Sequence, residues 1–225
     1  MNIYETLRRL IYEKRRNEVS CGHYLQYIPE FMVKKENMIG PPIKDSTQVQ
    51  GFRGKSDFVV SATISEGGSL IKKIFVWELK APQSNIFNID KGNKLKPSKF
   101  LIDAENKLLN YVDEFRKSEP LREHFSELGE VIASRNVFPG GLIMSRDDNK
   151  LLKGKITINN RDEDYLVAKG IRGEFFWTRC DIRLYTWNDI LNEINKKMIS
   201  GENLIGDSAI QQTRLIRKPK TKIYR

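Results

Sequence analysis

The chain has 225 residues, with 39 lysines and arginines against 29 aspartates and glutamates, a formal net charge of +10. With 39% apolar residues, among them 11 Phe, 8 Tyr and 3 Trp, it can bury a real core; this excludes a disordered polyelectrolyte and points to one α/β domain. Its two cysteines, Cys21 and Cys180, exclude a disulfide framework, and no membrane-length apolar run or signal-peptide pattern is found, so a cytoplasmic protein in a reducing compartment is expected.

Residues 2–17 predict a helix with Ile3, Leu7, Leu10 and Ile11 on one side. Residues 25–33 predict an edge strand confined there by Pro29, and 36–54 a loop marked by Pro41-Pro42 and glycines 40, 51 and 54. Residues 57–64 and 71–79 are strands rich in β-branched and aromatic side chains, apolar on both faces and so central in a covered sheet. A polar loop through Pro97 follows, then Ser98 as cap of a helix carrying Leu101, Ala104, Leu108, Tyr111, Val112 and Phe115. Ser118-Glu119-Pro120 ends that helix, and another is expected within 121–135. Residues 137–145 predict a buried strand, 160–170 a helix stopped by Gly170, and 181–185 a strand. Thr186 then caps a helix with Trp187, Ile190, Leu191 and Ile194 inward, closed by Ser200-Gly201. The order implies an α/β domain built on a mixed sheet. Residues 1–50 form its N-terminal helix and edge segment, 51–200 its core, and 201–225 a basic tail.

The two central strands carry the chemistry. Glu66-Gly67-Gly68-Ser69 joins them, and a Gly-Gly pair suits a two-residue hairpin loop because both positions accept positive φ. Cross-strand partners then have numbers summing to 135, which sets Asp57 opposite Glu78. Lys80 shares the face of Glu78 because side chains alternate along a strand. Directly opposed Cβ atoms lie roughly 5 Å apart, where two ionised carboxylates repel by roughly 3 kcal/mol at an effective dielectric near 20. Either one carboxyl keeps its proton or a cation neutralises the pair. A hard divalent ion such as Mg²⁺ takes such oxygen ligands, lowers the pKa of bound water and offsets charge on a phosphate. Lys80 is suited to orient the attacking water or stabilise the phosphate. An acid-x-Lys tripeptide by itself carries no weight, since about three are expected by chance and three occur, at 78–80, 105–107 and 148–150. Only the first ends an apolar strand with an aspartate opposite. The competing reading is a structural salt-bridge cluster.

Basic charge gathers at Arg8, Arg9 and 14–16, at Lys91, Lys94, Lys96 and Lys99, and in the last twelve residues, which hold six cations and no acid. Such clusters suit a phosphate backbone, where cation–phosphate contacts release counterions; for the last twelve residues a solvated end that only aids solubility is an equal reading. The cluster at 91–99 follows the acid-x-Lys strand directly, so Lys94, Lys96 and Lys99 are candidate contacts to nucleic acid.

Gly54-Lys55-Ser56-Asp57-Phe58-Val59-Val60, Val76-Trp77-Glu78-Leu79-Lys80 and the helix after them resemble the PD-(D/E)XK nuclease superfamily. ELKAPQ at 78–83, GGLIMSR at 140–146 and RLYTWNDIL at 183–191 make the chain most similar to the Shedu antiphage-defence family, over roughly residues 50–195. The resemblance implies a restriction-endonuclease-like core and a DNA endonuclease dependent on Mg²⁺ or Mn²⁺, acting as a homo-oligomer in bacterial antiphage defence. It implies that Asp57 and Glu78 ligate the metal, that the Leu79 carbonyl completes the protein ligands, and that Lys80 positions the water. The Gln-x-x-x-Tyr of such nucleases corresponds here to Lys107 and Tyr111; Lys107 is a possible phosphate contact, and solvated helix charge is the simpler account of it. A further glutamate from the first helix is implied, with Glu5, Glu13 and Glu18 as candidates that spacing does not separate.

Other residues read as structural. His23 and His124 are too few for a histidine-metal nuclease, Cys21 near His23 completes no zinc site, and Asp147-Asp148 reads as a solvated turn. Trp77 and Trp187 sit at core positions. Two alternatives share the fold: a type II restriction endonuclease, which adds base-reading contacts, and a non-catalytic nucleic-acid-binding module.

Overall fold

The computed structural model describes residues 2–13, 18–33, 57–126 and 131–200 in full, and residues 38–45 as backbone. Helix α1 (Ile3–Tyr12) is capped by Asn2, whose Oδ1 accepts from the Tyr4 N–H at 3.0 Å, and buries Leu7 and Ile11. The expected continuation to residue 17 does not occur within the described residues, because Glu13 is already extended. Helix α2 (Glu18–Gly22), a 3₁₀ turn (His23–Tyr27) and α3 (Pro29–Val33) follow, so the strand expected over 25–33 is helical instead. Leu25, Ile28 and Met32 recur at three- and four-residue spacing, and all three are fully buried. Pro29 occupies the first helical position, where a missing N–H costs nothing.

The loop expected over 36–54 contains strand β1 (Met38–Asp45); positions 46–54 lie outside the described residues. β1 accommodates Pro41-Pro42 because it is an edge strand and bulges there, pairing Ile39 with Thr63 but Ile43 with Ser61 of the next strand. That neighbour, β2 (Phe58–Glu66), turns into β3 (Ser69–Leu79) through Gly67 and Gly68, at φ 55° and 80°. Pairs run from Phe58↔Trp77 to Glu66↔Ser69, each summing to 135 as the two-glycine loop requires.

The polar loop expected up to Pro97 holds two further short strands, β4 (Phe87–Ile89) and β5 (Leu95–Pro97). Helix α4 (Lys99–Lys117) starts where expected, with Ser98 Oγ accepting from the Leu101 N–H at 3.0 Å. The second helix expected in 121–135 is limited to α5 (Glu119–His124) among the described residues. Strand β6 (Val137–Ile143) lies parallel to β3. Strands β7 (Leu151–Lys153) and β8 (Ile156–Thr157) precede α6 (Asp162–Arg172). Gly170 does not stop α6, which continues through a π turn (Gly173–Trp177) into α7 (Thr178–Cys180). Its far end is held by Glu105, buried on α4, which pairs with the Arg172 guanidinium and accepts from the Trp177 indole N–H at 2.7 Å. These contacts outweigh the roughly 1 kcal/mol a mid-helix glycine costs. Strand β9 (Arg183–Tyr185) leads into α8 (Trp187–Ile199), which begins in a Thr186/Asp189 capping box.

The main sheet has the order β1-β2-β3-β6-β9, antiparallel at β1-β2-β3 and parallel thereafter; β5-β4-β7-β8 form a second, small mixed sheet. The molecule is thus an α/β fold with mixed sheets and flanking helices. The central hairpin is covered on both faces. Val59, Ile74 and Val76 pack with α4, while Phe58, Val60 and Trp77 pack with α1, α3 and α8. Burying each Val, Leu or Ile side chain contributes about 1.5–3 kcal/mol, and the N-terminal helices share this core with β2 and β3. Among the described residues no helix is long and apolar enough to cross a membrane.

A one-residue slip interrupts the β3–β6 ladder: Val76 pairs with Pro139 but Trp77 with Gly141. Gly140 is the extra residue, and a Cβ there would lie 2.2 Å from the Trp77 indole nitrogen. Gly140→Ala is expected to destabilise the fold by about 3 kcal/mol, measured by urea denaturation.

Candidate active site

The site forms at the open end of the hairpin, where β2 begins and β3 ends. Asp57 immediately precedes β2, is exposed, and is held in place by the Leu79 N–H, which donates to Asp57 Oδ2 at 2.9 Å. Glu78 lies on β3 with 1% exposure, and Lys80, just beyond the strand and on the same face, places its ammonium on Glu78 Oε1. The three residues expected to converge do so. Lys107, two turns into α4, also reaches the site, with Nζ 3.7 Å from Glu78 Oε1 although its side chain is 54% exposed. It is therefore not merely solvated helix charge. The packing of α4 across β3 carries it there, which spacing in the sequence does not disclose.

Burial raises the Glu78 carboxyl from its ordinary 4.5 to about 7, assisted by the Asp57 charge and opposed by Lys80. The Glu78 charge in turn raises Lys107. Glu78 Oε2 is buried and has no hydrogen-bond partner. Two carboxylates cannot donate to one another, so this oxygen is satisfied only if Glu78 keeps its proton or a cation neutralises the pair. The donor set thus fits a hard divalent cation: two opposed carboxylates, one with an unused buried oxygen. Among the described residues no group of three or more His, Cys, Asp or Glu gathers at one place.

None of the three candidate glutamates joins Asp57 and Glu78 in such a group. Glu5 is exposed and pairs with Arg8, and Glu18 opens α2. Glu13 is engaged through its main chain, whose carbonyl accepts from Gln83 Nε2 at 2.5 Å. Lys94, Lys96 and Lys99 are exposed on the small sheet and at the start of α4. The basic residues at 14–16 and in 201–225, and Gly54-Lys55-Ser56, lie outside the described residues. Asp147 and Asp148 are ion-paired, with Lys150 and Arg146 respectively.

Several residues of the quoted motifs have partners that the sequence did not reveal. Gln83 and Arg146 hold the carbonyls of Glu13 and Ile11, Arg146 lies over the Tyr12 ring, and Asn188 donates to the Tyr12 hydroxyl at 3.0 Å. The three motif stretches therefore meet around the last turn of α1, beside the end of β3. Trp187 donates its indole N–H to the Lys80 carbonyl at 2.7 Å.

No protein-family model matches this chain, and no curated protein matches it in sequence.

Proposed function

We propose that the chain is a divalent-cation-dependent nuclease of the PD-(D/E)XK type, hydrolysing DNA phosphodiester bonds and most similar in its motifs to the Shedu antiphage-defence nucleases. One observation supports this above others. A buried glutamate with an unused oxygen faces an aspartate across a hairpin end, and two ammonium groups lie on the same carboxylate. A purely structural ion pair does not need a second carboxylate placed against the first, where it only raises the energy.

On this reading Asp57 and Glu78 would hold Mg²⁺ or Mn²⁺, with the Leu79 carbonyl as a further oxygen. Such an ion, when bound, polarises the phosphodiester and makes water a stronger nucleophile. The Leu79 amide keeps Asp57 turned toward Glu78. Lys80, 15% exposed and tied to Glu78, orients a water and offers positive charge to the phosphate as it accumulates charge. Lys107, more open to solvent, is placed to meet a phosphate oxygen of the bound strand. The hairpin at the centre of a mixed sheet, with acids at its open end, is the arrangement a restriction-endonuclease-like core calls for. A cytoplasmic homo-oligomer acting in defence belongs to the same proposal.

The test is direct. Purified full-length protein with Mg²⁺ or Mn²⁺ is expected to cut plasmid DNA, and a chelator to stop it. Failure to cut duplex DNA, single-stranded DNA or RNA with either ion would overturn the enzyme reading in favour of a non-catalytic nucleic-acid-binding module. Sequencing the product ends separates a restriction enzyme, which cuts at one sequence, from a nuclease without a fixed site.

A further inference from the structure

Lys80 stands where β3 leaves the sheet, and its main chain is held from both sides. Its N–H donates to the Ile143 carbonyl at 2.8 Å, and its own carbonyl accepts from the Trp187 indole N–H at 2.7 Å. Trp187 is itself fixed. Its backbone N–H donates to the Ser145 carbonyl at 3.0 Å, and it opens α8 directly after the Thr186/Asp189 capping box. Thr186 in addition donates to Asp147 Oδ1 at 3.3 Å. One indole therefore ties the start of α8 to the residue whose ammonium rests on Glu78.

Core filling alone does not account for this bond. Trp77 is as fully buried as Trp187, and its indole N–H has no partner. The same core thus tolerates a tryptophan whose donor is unused, so packing does not demand that the Trp187 N–H be aimed at the Lys80 carbonyl. A peptide pinned at both its donor and its acceptor leaves the side chain little freedom beyond its own rotamers, and a reacting group misplaced by about 1 Å can lose about a hundredfold in rate.

We propose that Trp187 is a positioning residue, whose indole N–H holds the Lys80 carbonyl and thereby keeps the Lys80 ammonium on the Glu78 carboxylate. The consequence for catalysis rests on the nuclease reading; the positioning itself does not. The first measurement is therefore independent of activity: the rate at which Lys80 is reductively methylated, followed by mass spectrometry of the full-length protein. In the native protein Lys80 is shielded and tied to Glu78, and slow labelling is expected. Trp187→Phe keeps an aromatic ring and deletes the donor; Lys80 labelling is expected to rise about tenfold. Trp77→Phe, which removes an unpartnered donor from the same core, is the control and is expected to leave the rate unchanged. Should Trp187→Phe not fold, 3-benzothienylalanine at position 187 exchanges only the N–H for sulfur and carries the same expectation. For cleavage, Trp187→Phe is expected to lower kcat about tenfold to a hundredfold, with KM for DNA and calorimetric Mn²⁺ affinity unchanged. Lys80 labelling at the native rate in the donor-free protein, or equal acceleration in Trp77→Phe, overturns the proposal. If labelling responds as expected but the native protein cuts no nucleic acid, the positioning stands and the nuclease reading falls.

Discussion

Lys80→Ala is expected to reduce Mg²⁺-dependent DNA cleavage by on the order of a thousandfold while leaving the protein folded. The loss follows from geometry: Lys80 is the cation that shares a face with Glu78, and its side chain is oriented toward the carboxylates rather than into solvent. Folding survives because what anchors β3 is its main chain and its apolar neighbours, Val76, Trp77 and Leu79, all buried. The variant also loses the group that opposes the upward shift of Glu78, so that carboxyl is expected to titrate higher still. Single-turnover cleavage, with circular dichroism as the folding control, decides the matter. A variant that cuts at the native rate removes Lys80 from the chemistry.

Glu78→Gln is expected to abolish cleavage and yet to stabilise the metal-free protein at pH 8. In the folded state Glu78 titrates near 7 rather than 4.5, so between those values the folded protein binds more protons than the unfolded chain. Stability must then fall as pH rises through that window, by up to about 1.4 kcal/mol per unit and roughly 3 kcal/mol in all, and level off above it. Glutamine cannot ionise, so this part of the pH dependence should vanish in the variant. Mn²⁺ should reverse the loss in the native protein, adding about 2.7 kcal/mol at a hundred times its dissociation constant, and should do nothing for Glu78→Gln. Urea denaturation at pH 5 and pH 8, with and without Mn²⁺, measures all of these. A native protein equally stable at both pH values and indifferent to Mn²⁺ would contradict the picture of a strained acidic pair. The site would then be an ordinary salt bridge. The trade expected here, local instability kept where an ion is to be held, is common at functional sites.

The hairpin and its site were legible in the sequence because they depend on local rules. Two adjacent glycines choose the turn, the turn sets the register, and the period of two decides which side chains share a face. Ser98 and Thr186 were legible as caps for a similar reason, each acting within three residues of itself. The segment 25–33 was not, because a short apolar run with a proline suits an edge strand or a helical turn equally well. Its burial against α1 and α8 decides between them. Strands of two or three residues, such as β4 and β8, carry too little pattern to show a period, and β4 in addition pairs with β7, far along the chain. Trp187 escaped recognition as a site residue, and Lys107 was offered as a phosphate contact but not as a partner of Glu78, for another reason. What singles them out is the atom they face, Glu78 Oε1 and the Lys80 carbonyl, and that depends on how α4 and α8 dock.

The slip at Gly140 has a reach well beyond the glycine. Beyond that point Leu142 enters the layer beneath α4, whereas Ile143 enters the layer beneath α1 and α8. Removing a single residue there would rotate the rest of the strand by half a turn, exchange those two side chains between layers, and carry the Ile143 carbonyl away from the Lys80 amide it now meets. The aim of a lysine on one strand therefore depends on an inserted residue in its neighbour, and a deletion at position 140 should silence the site without touching any group in it.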